Sequence, residues 1–234
     1  MILIYIPARG GSKGIPLKNL SYLNGKPLLY YTLSIAKALE QELEDEVMIF
    51  VSSDDEKILD YCSKQGFQTD YKRPDYLSDD TATIIDGLKD ALNWLEDNKS
   101  VYPDEILLLQ VTSPIRSLNH ILSMIKQFRI DELASSFSVI PIRQHPNECI
   151  RMNEDNWEYL QKPVSGNQRQ AYQENFFFID GSYYLIKKEF LFEHSCFIHP
   201  SISKPFILDD KNAIDIDEPE DLLLAEAILK SREQ

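Results

Sequence analysis

The sequence predicts an α/β protein built on a mostly parallel, doubly wound sheet. Three observations carry that expectation: apolar runs at Met1–Ile6, Val47–Ser52 and Glu105–Val111, stretches of helical spacing between them, and a loop of glycines and cations directly after the first run. Strands buried on both faces read as continuous hydrophobic runs, the pattern of a parallel sheet covered by helices. Ligands of such sheets sit at the carboxyl ends of the strands.

In chain order, Met1–Ile6 is a buried strand that stops at Pro7. Lys26–Glu42 has the spacing of a helix, with Pro27 in a first turn, and carries Leu28, Leu29, Leu33, Ile35, Ala36 and Leu39 on its apolar side. Val47–Ser52 is β-branched and leads to Ser53-Asp54-Asp55-Glu56, whose acids suit a helix N-terminus. A short strand is expected near Phe67–Tyr71, an extended turn at Arg73-Pro74, and a helix from about Thr81 to Asn98. Glu105–Val111 is the central strand, followed by the turn TSPIR, a helix near Leu118–Phe128 and a strand at Leu133–Ile140. From Pro141 to about Asp180 the rhythm breaks into prolines and polar residues, which predicts an insertion with a two-stranded arm in an otherwise single domain spanning 1–234. Gly181–Ile186 resumes the fold as a strand, and Pro219–Lys230 closes it as an apolar-rich helix.

Composition narrows the function. A formal charge of −14 speaks against a nucleic-acid partner, because phosphate backbones demand a basic face. No apolar run approaches the roughly 20 residues that span a bilayer, and MILIYIPARG lacks the basic head and long apolar middle of a secretory signal, so a cytoplasmic location without a membrane partner is expected. Cys62, Cys149 and Cys196 share no CxxC spacing, so neither a disulfide framework nor a zinc site is expected.

Against this acidic background the loop Pro7–Asn19 stands out, with Gly10, Gly11 and Gly14 beside Arg9, Lys13 and Lys18. Glycines let a backbone approach a ligand closely, and clustered cations favour a polyphosphate. The spacing matches neither the P-loop nor the dinucleotide fingerprint. Near the other end, Ala213-Ile214-Asp215-Ile216-Asp217 in an extended backbone puts both carboxylates on one side and both isoleucines on the other. Two adjacent carboxylates repel, and a magnesium ion, which takes one or two carboxylates plus phosphate oxygens, relieves that repulsion. Asp54-Asp55 is the competing acidic pair, read as an exposed helix start. None of His120, His145, His194 and His199 is placed by the sequence as a catalytic base.

The loop PARGGSKGIPLKN closely resembles the opening signature of the acylneuraminate cytidylyltransferases, the CMP-sialic acid synthetase family. Three further blocks follow in the family's order: RPDYLSDDTA, LLLQVTSPIR and DIDEPEDL. The resemblance implies a nucleotide-diphospho-sugar transferase type of Rossmann-like fold, with the insertion at 141–180 forming a homodimer contact. It implies transfer of CMP from CTP to the anomeric hydroxyl of a nonulosonic acid, with pyrophosphate leaving. In the roles it suggests, Arg9 and Lys13 hold the β- and γ-phosphates and Lys18 neutralises charge at the α-phosphate. Ala8, Gly10, Ser12 and Asn19 complete the nucleotide loop, while Arg73, Asp80 and Thr81 read the cytosine edge and ribose. Gln110, Thr112, Ser113, Arg169, Gln170 and Tyr184 fall on the acceptor side, Arg169 as partner of the substrate carboxylate, whose geometry suits a bidentate guanidinium. Asp215 and Asp217 hold Mg2+ or another divalent cation.

The chain departs from the family pattern at Val111 where a proline is usual, at Asp79 before Asp80-Thr81-Ala82, at Asp180-Gly181-Ser182 where Asn-Gly-Ala is usual, and at Glu148 where studied members carry a lysine. These fall mainly in the sugar half. They leave open another acceptor, such as a different 3-deoxy sugar acid or a polyol phosphate, and a non-catalytic nucleotide-binding relative.

Overall fold

A computed structural model of the chain describes residues 1–12, 14–79, 81–142, 144–161, 175–208 and 213–232. Its centre is a six-stranded sheet made by β1 (Ile2–Pro7), β4 (Val47–Ser52), β5 (Glu105–Leu108), β6 (Ser135–Pro141), β9 (Phe177–Lys187) and β10 (Lys204–Ile207), in the order β10-β6-β9-β5-β1-β4. β1 pairs in parallel with both β4 and β5, β10 pairs in parallel with β6, and β9 runs antiparallel between β5 and β6. The sheet is mostly parallel, as expected.

Alternation along β1 assigns the two faces. Ile2, Ile4 and Ile6 join the buried cluster under α1 (Leu28–Glu42), α2 (Glu56–Lys64), α4 (Leu118–Ile130) and α6 (Pro219–Arg232). Leu3 and Tyr5 join the opposite cluster under α3 (Ile84–Lys99) and α5 (Lys188–His194). Each fully buried Leu or Ile contributes about 1.5–3 kcal/mol relative to exposure. Helices therefore cover both faces.

Several boundaries differ from the sequence reading for local reasons. Lys26–Pro27 is not a first helical turn; as β3 it pairs with β2 (Tyr22–Leu23) in a small hairpin, and α1 begins at Leu28. α3 starts at Ile84 rather than Thr81, because Thr83 and Asp86 form a reciprocal capping box and Asp79 takes the N–H groups of Thr81 and Ala82 in a turn before it. β5 ends at Leu108, leaving Leu109–Val111 as an exit loop. The segment Phe67–Tyr71 pairs with no strand. Tyr71 is instead buried among Phe50 and Trp94, its hydroxyl 2.7 Å from Asp90, so its aromatic pattern marks a core contact across α3.

The short elements α5 and β10 have no counterpart in the sequence reading. Between β6 and β9 stands a hairpin of β7 (Ile150–Asn153) and β8 (Asn156–Tyr159), with Ile150 opposite Tyr159 and Met152 opposite Trp157.

Candidate active site

The carboxyl ends of β1 and β5 open onto one cleft of about 150 Å³, lined by Arg9, Ser12, Lys18, Arg73, Gln110 and Thr112 among others. Residues from three of the four motif blocks therefore meet in space. A larger groove of about 680 Å³ lies elsewhere, between α1 and the loop after α2, with Tyr30, Lys37 and Phe67 in its wall. Size alone does not make it the site, because its lining includes none of the loop cations or acidic-segment residues.

The loop after β1 is held from several sides. Buried Ala8 donates its N–H to the Ser52 carbonyl at 2.9 Å, continuing the β1–β4 pairing. The Gly10 N–H donates to Asp54 Oδ1 at 2.9 Å, and a Cβ on Gly10 would stand 2.7 Å from Asp55 Cβ. Only glycine tolerates that approach without a shift. The Asp54-Asp55 pair is thus more than an exposed helix start: Asp55 caps α2 by accepting from Lys57 and Ile58, while Asp54 anchors the loop.

Asn19, buried, donates its side-chain amide to the Arg9 carbonyl at 2.7 Å, and Arg9 Nη1 donates to the Asp79 carbonyl at 3.1 Å. Ser12 lines the cleft. Lys13 and Asp80 lie outside the described residues, as do Arg169 and Gln170. Thr81 sits in the exposed turn that Asp79 organises.

Arg73 is 6% exposed and spends its guanidinium on Ser52, with Nε 2.9 Å from Oγ and Nη2 2.6 Å from the carbonyl oxygen. It forms the floor of the cleft beside Ile84. Across from it, Gln110 Nε2 donates to the Gly181 carbonyl at 3.3 Å. Gly181 has φ of 75°, where glycine is favoured, and lies in β9 where its register against β6 shifts. Ser113 is buried, and its hydroxyl finds no hydrogen-bond partner among the described residues. Tyr184 is not brought to the cleft wall. Its ring packs at 5.2 Å on Phe197 on the α3 side of the sheet, and burial raises its hydroxyl above the ordinary tyrosine value, with Asp180 and Asp215 adding to the rise.

The acidic segment 213–217, which belongs to no strand of the sheet, closes the other side. Ile216 is fully buried, its N–H donating to the Thr112 carbonyl at 2.8 Å, while Asp215 and Asp217 remain open to solvent. Lys18 Nζ donates to the Ile216 carbonyl at 2.7 Å and to Asp217 Oδ1 at 2.9 Å. Desolvation, the larger cause, and repulsion from Asp217 raise the Asp215 carboxyl above its ordinary value, against a hydrogen bond from Thr112 and the charges of Lys18 and Arg116. Gly14 lets the two ends meet: a Cβ there would collide with the Asp217 carbonyl oxygen.

Carboxylate oxygens are the donors a hard cation takes, and among the described residues no group of three or more His, Cys, Asp or Glu side chains could enclose a metal.

Residues 3–219 match the family model described as cytidylyltransferase. The chain belongs to that family. Among its relatives, the N-acylneuraminate cytidylyltransferase of Streptococcus agalactiae serotype V is 32% identical over 209 residues, covering 87% of this chain. The chain spans about half, 49%, of that relative's length. The CMP-N,N'-diacetyllegionaminic acid synthase of Legionella pneumophila is 32% identical over 236 residues, covering 100% of this chain and 98% of that one. The structure of CMP:2-keto-3-deoxy-manno-octonic acid synthetase complexed with CTP aligns with a TM-score of 0.73 over 99% of both chains, at 17% identity. That last likeness speaks for the fold alone.

Three residues around this cleft have no role in the sequence reading. Asp54 was visible as an acid after β4, but its target, the Gly10 N–H, lies 44 residues away. Arg116 stood inside a recognised motif without a role, and Asp180 appeared only as a departure from the family pattern.

Proposed function

We propose that the protein transfers CMP from CTP to the anomeric hydroxyl of a nonulosonic acid and releases pyrophosphate. One observation carries the reading: the cationic loop, the buried Arg73 and the Gln110–Thr112 exit loop share a single cleft, closed by the acidic segment 215–217 through Lys18. Relatives named for CMP transfer to sialic-type acids support it.

Phosphoryl transfer asks a protein mainly for positioning and charge stabilisation. In this reading Arg9, Lys13 and Lys18 supply positive charge along the triphosphate. Asn19 keeps the loop in shape through the Arg9 carbonyl. Arg73, Asp80 and Thr81 recognise the cytosine and ribose, and Gln110 orients an acceptor hydroxyl, with Thr112, Ser113 and Gln170 on the same side. Arg169 pairs with the acceptor carboxylate. Asp215 and Asp217 would hold a divalent cation, magnesium being the first choice, which when bound supplies charge neutralisation across the phosphate oxygens.

The protein acts as a homodimer in the cytoplasm in this reading. Supporting the dimer, Ile150, Met152, Trp157 and Tyr159 occupy paired positions on one face of the β7–β8 hairpin and are all exposed. A lone two-stranded hairpin is marginal in water, so a partner surface is expected to cover it. Among the described residues no helix is long and apolar enough to cross a membrane.

The test is pyrophosphate release by purified protein with CTP, magnesium and a panel of nonulosonic acids. Release that requires both one acid and the metal supports the reading. CTP binding without turnover of any acid, and turnover of another 3-deoxy sugar acid or a polyol phosphate, would overturn the acceptor assignment.

A further inference from the structure

Behind the cleft lies a charged cluster that none of these roles uses. Arg116 keeps some exposed surface, yet its guanidinium points inward and is spent on three neutral oxygens. Nη1 donates to Thr32 Oγ1 of α1 at 3.1 Å, Nε to the Ser182 carbonyl of β9 at 3.3 Å, and Nη2 to the Gln110 carbonyl. Burial lowers the guanidinium to about 10, opposed by the fields of Tyr183, Asp180 and Asp215. Asp180 is 6% exposed, and neither of its carboxylate oxygens has a hydrogen-bond partner among the described residues. A buried carboxylate without donors is costly unless opposite charge compensates it. Arg116 makes no direct ion pair with Asp180, but holds the Ser182 carbonyl two residues along β9 and feels the Asp180 charge at longer range.

Two of the three oxygens that Arg116 holds, the Gln110 and Ser182 carbonyls, lie on the exit loop and on β9, which carry the acceptor side in the reading above. Gln110 lines the cleft and donates to Gly181, the neighbour of both Asp180 and Ser182. Two residues on, the Thr112 carbonyl takes the Ile216 N–H at 2.8 Å. A displaced guanidinium therefore moves the Gln110–Thr112 loop, and with it the Gln110 amide and, through the Thr112 carbonyl, the acidic segment around Ile216. Gly10 and Arg9 have separate supports, at Asp54, Asn19 and Asp79, whereas Lys18 shares the Ile216 carbonyl and Asp217 with the acidic segment.

We propose that Arg116 is a positioning residue for the acceptor half of the site and that Asp180 is the buried counter-charge that keeps it in place. The proposal rests on the cytidylyl-transfer reading above. Arg116→Lys keeps the charge but cannot reach three oxygens with one planar fork, and Asp180→Asn keeps the shape but removes the counter-charge.

Both variants of the full chain are compared with wild type by melting temperature, by CTP affinity in calorimetry, by kcat and acceptor KM, and by the side-chain amide resonance of Gln110. The expected result for Arg116→Lys is a folded protein whose CTP dissociation constant stays within about threefold of wild type, because the loss is felt after nucleotide binding. Its kcat/KM for the acceptor falls on the order of 10- to 100-fold, the scale of a misplaced group away from the chemistry. The Gln110 resonance shifts, and Asp180→Asn moves the same quantities in the same direction. Wild-type kinetics with an unshifted resonance would overturn the proposal. So would equal losses of CTP affinity and turnover, since those describe general destabilisation. If wild type itself turns over no sugar acid, the reaction reading fails and the Gln110 resonance decides alone: a shift supports Arg116 as positioner and no shift overturns it.

Discussion

Lys18 Nζ lies 2.9 Å from Asp217 Oδ1, and this single ion pair joins the first motif of the chain to its last across 199 residues. The lysine side chain is largely covered while the aspartate stays open. The pair contributes little stability by itself, as exposed pairs do. Its consequence is geometric: the cation proposed for phosphate and the carboxylate proposed for metal are in contact.

Removing the lysine separates these roles from folding. Lys18→Ala is expected to melt within a few degrees of wild type and to lose kcat by on the order of 100-fold or more, the scale for deleting one preorganised charge at a transition state. Steady-state pyrophosphate release alongside a melting curve checks it. Wild-type turnover would remove Lys18 from the chemistry.

The contact beneath that pair is stricter. Gly14→Ala places a methyl group against the Asp217 carbonyl, so the loop and the acidic segment must part. Overpacking of this kind costs about 1–3 kcal/mol. Urea unfolding should report that loss, together with a raised KM for CTP.

The hairpin offers a test of assembly. Trp157→Glu places a charge among Ile150, Met152 and Tyr159 on the exposed apolar face. Sedimentation velocity is expected to show a wild-type dimer and a monomeric variant. A wild-type monomer would remove the hairpin as a dimer contact.

Cys62 gives a pH prediction. The thiol is fully buried, and desolvation pushes it up from 9.0 to about 12. The folded state therefore binds this proton more tightly than the unfolded state does. Its contribution to stability is complete below about pH 9 and is lost as pH rises towards about 12. Cys62→Ala should flatten that part of the stability curve. In native protein, thiol reagents should modify the half-buried Cys149 and Cys196 first and reach Cys62 only on unfolding.

What was legible in the sequence follows from how local each cause is. β1 and its loop could be read because an apolar run followed by Pro7 and clustered cations leaves few alternatives within a dozen residues. The alternation Ile214-Asp215-Ile216-Asp217 could be read for the same reason, and Ile216 is indeed buried while both acids face solvent. The aromatic Phe67–Tyr71 stretch misled, because Tyr71 is buried by packing on Phe50 and Trp94 and not by sheet pairing. Arg116 and Ser182 lie 66 residues apart, so no local pattern signals that one holds the other. The cap at Thr83 was hidden by the preceding Asp79 turn, which has the composition of a helix start.

The central claim is transfer of the α-phosphoryl group of CTP to a sugar acid, and following that phosphorus tests it most directly. CTP labelled at the α-phosphate is incubated with the protein, magnesium and the acid panel, and the products are separated. The account predicts label in a CMP–sugar acid conjugate, with unlabelled pyrophosphate formed in equal amount and conjugate formed on the order of 100-fold more slowly by Lys18→Ala. Label recovered only as CTP, or as free CMP independent of any acid, would contradict it.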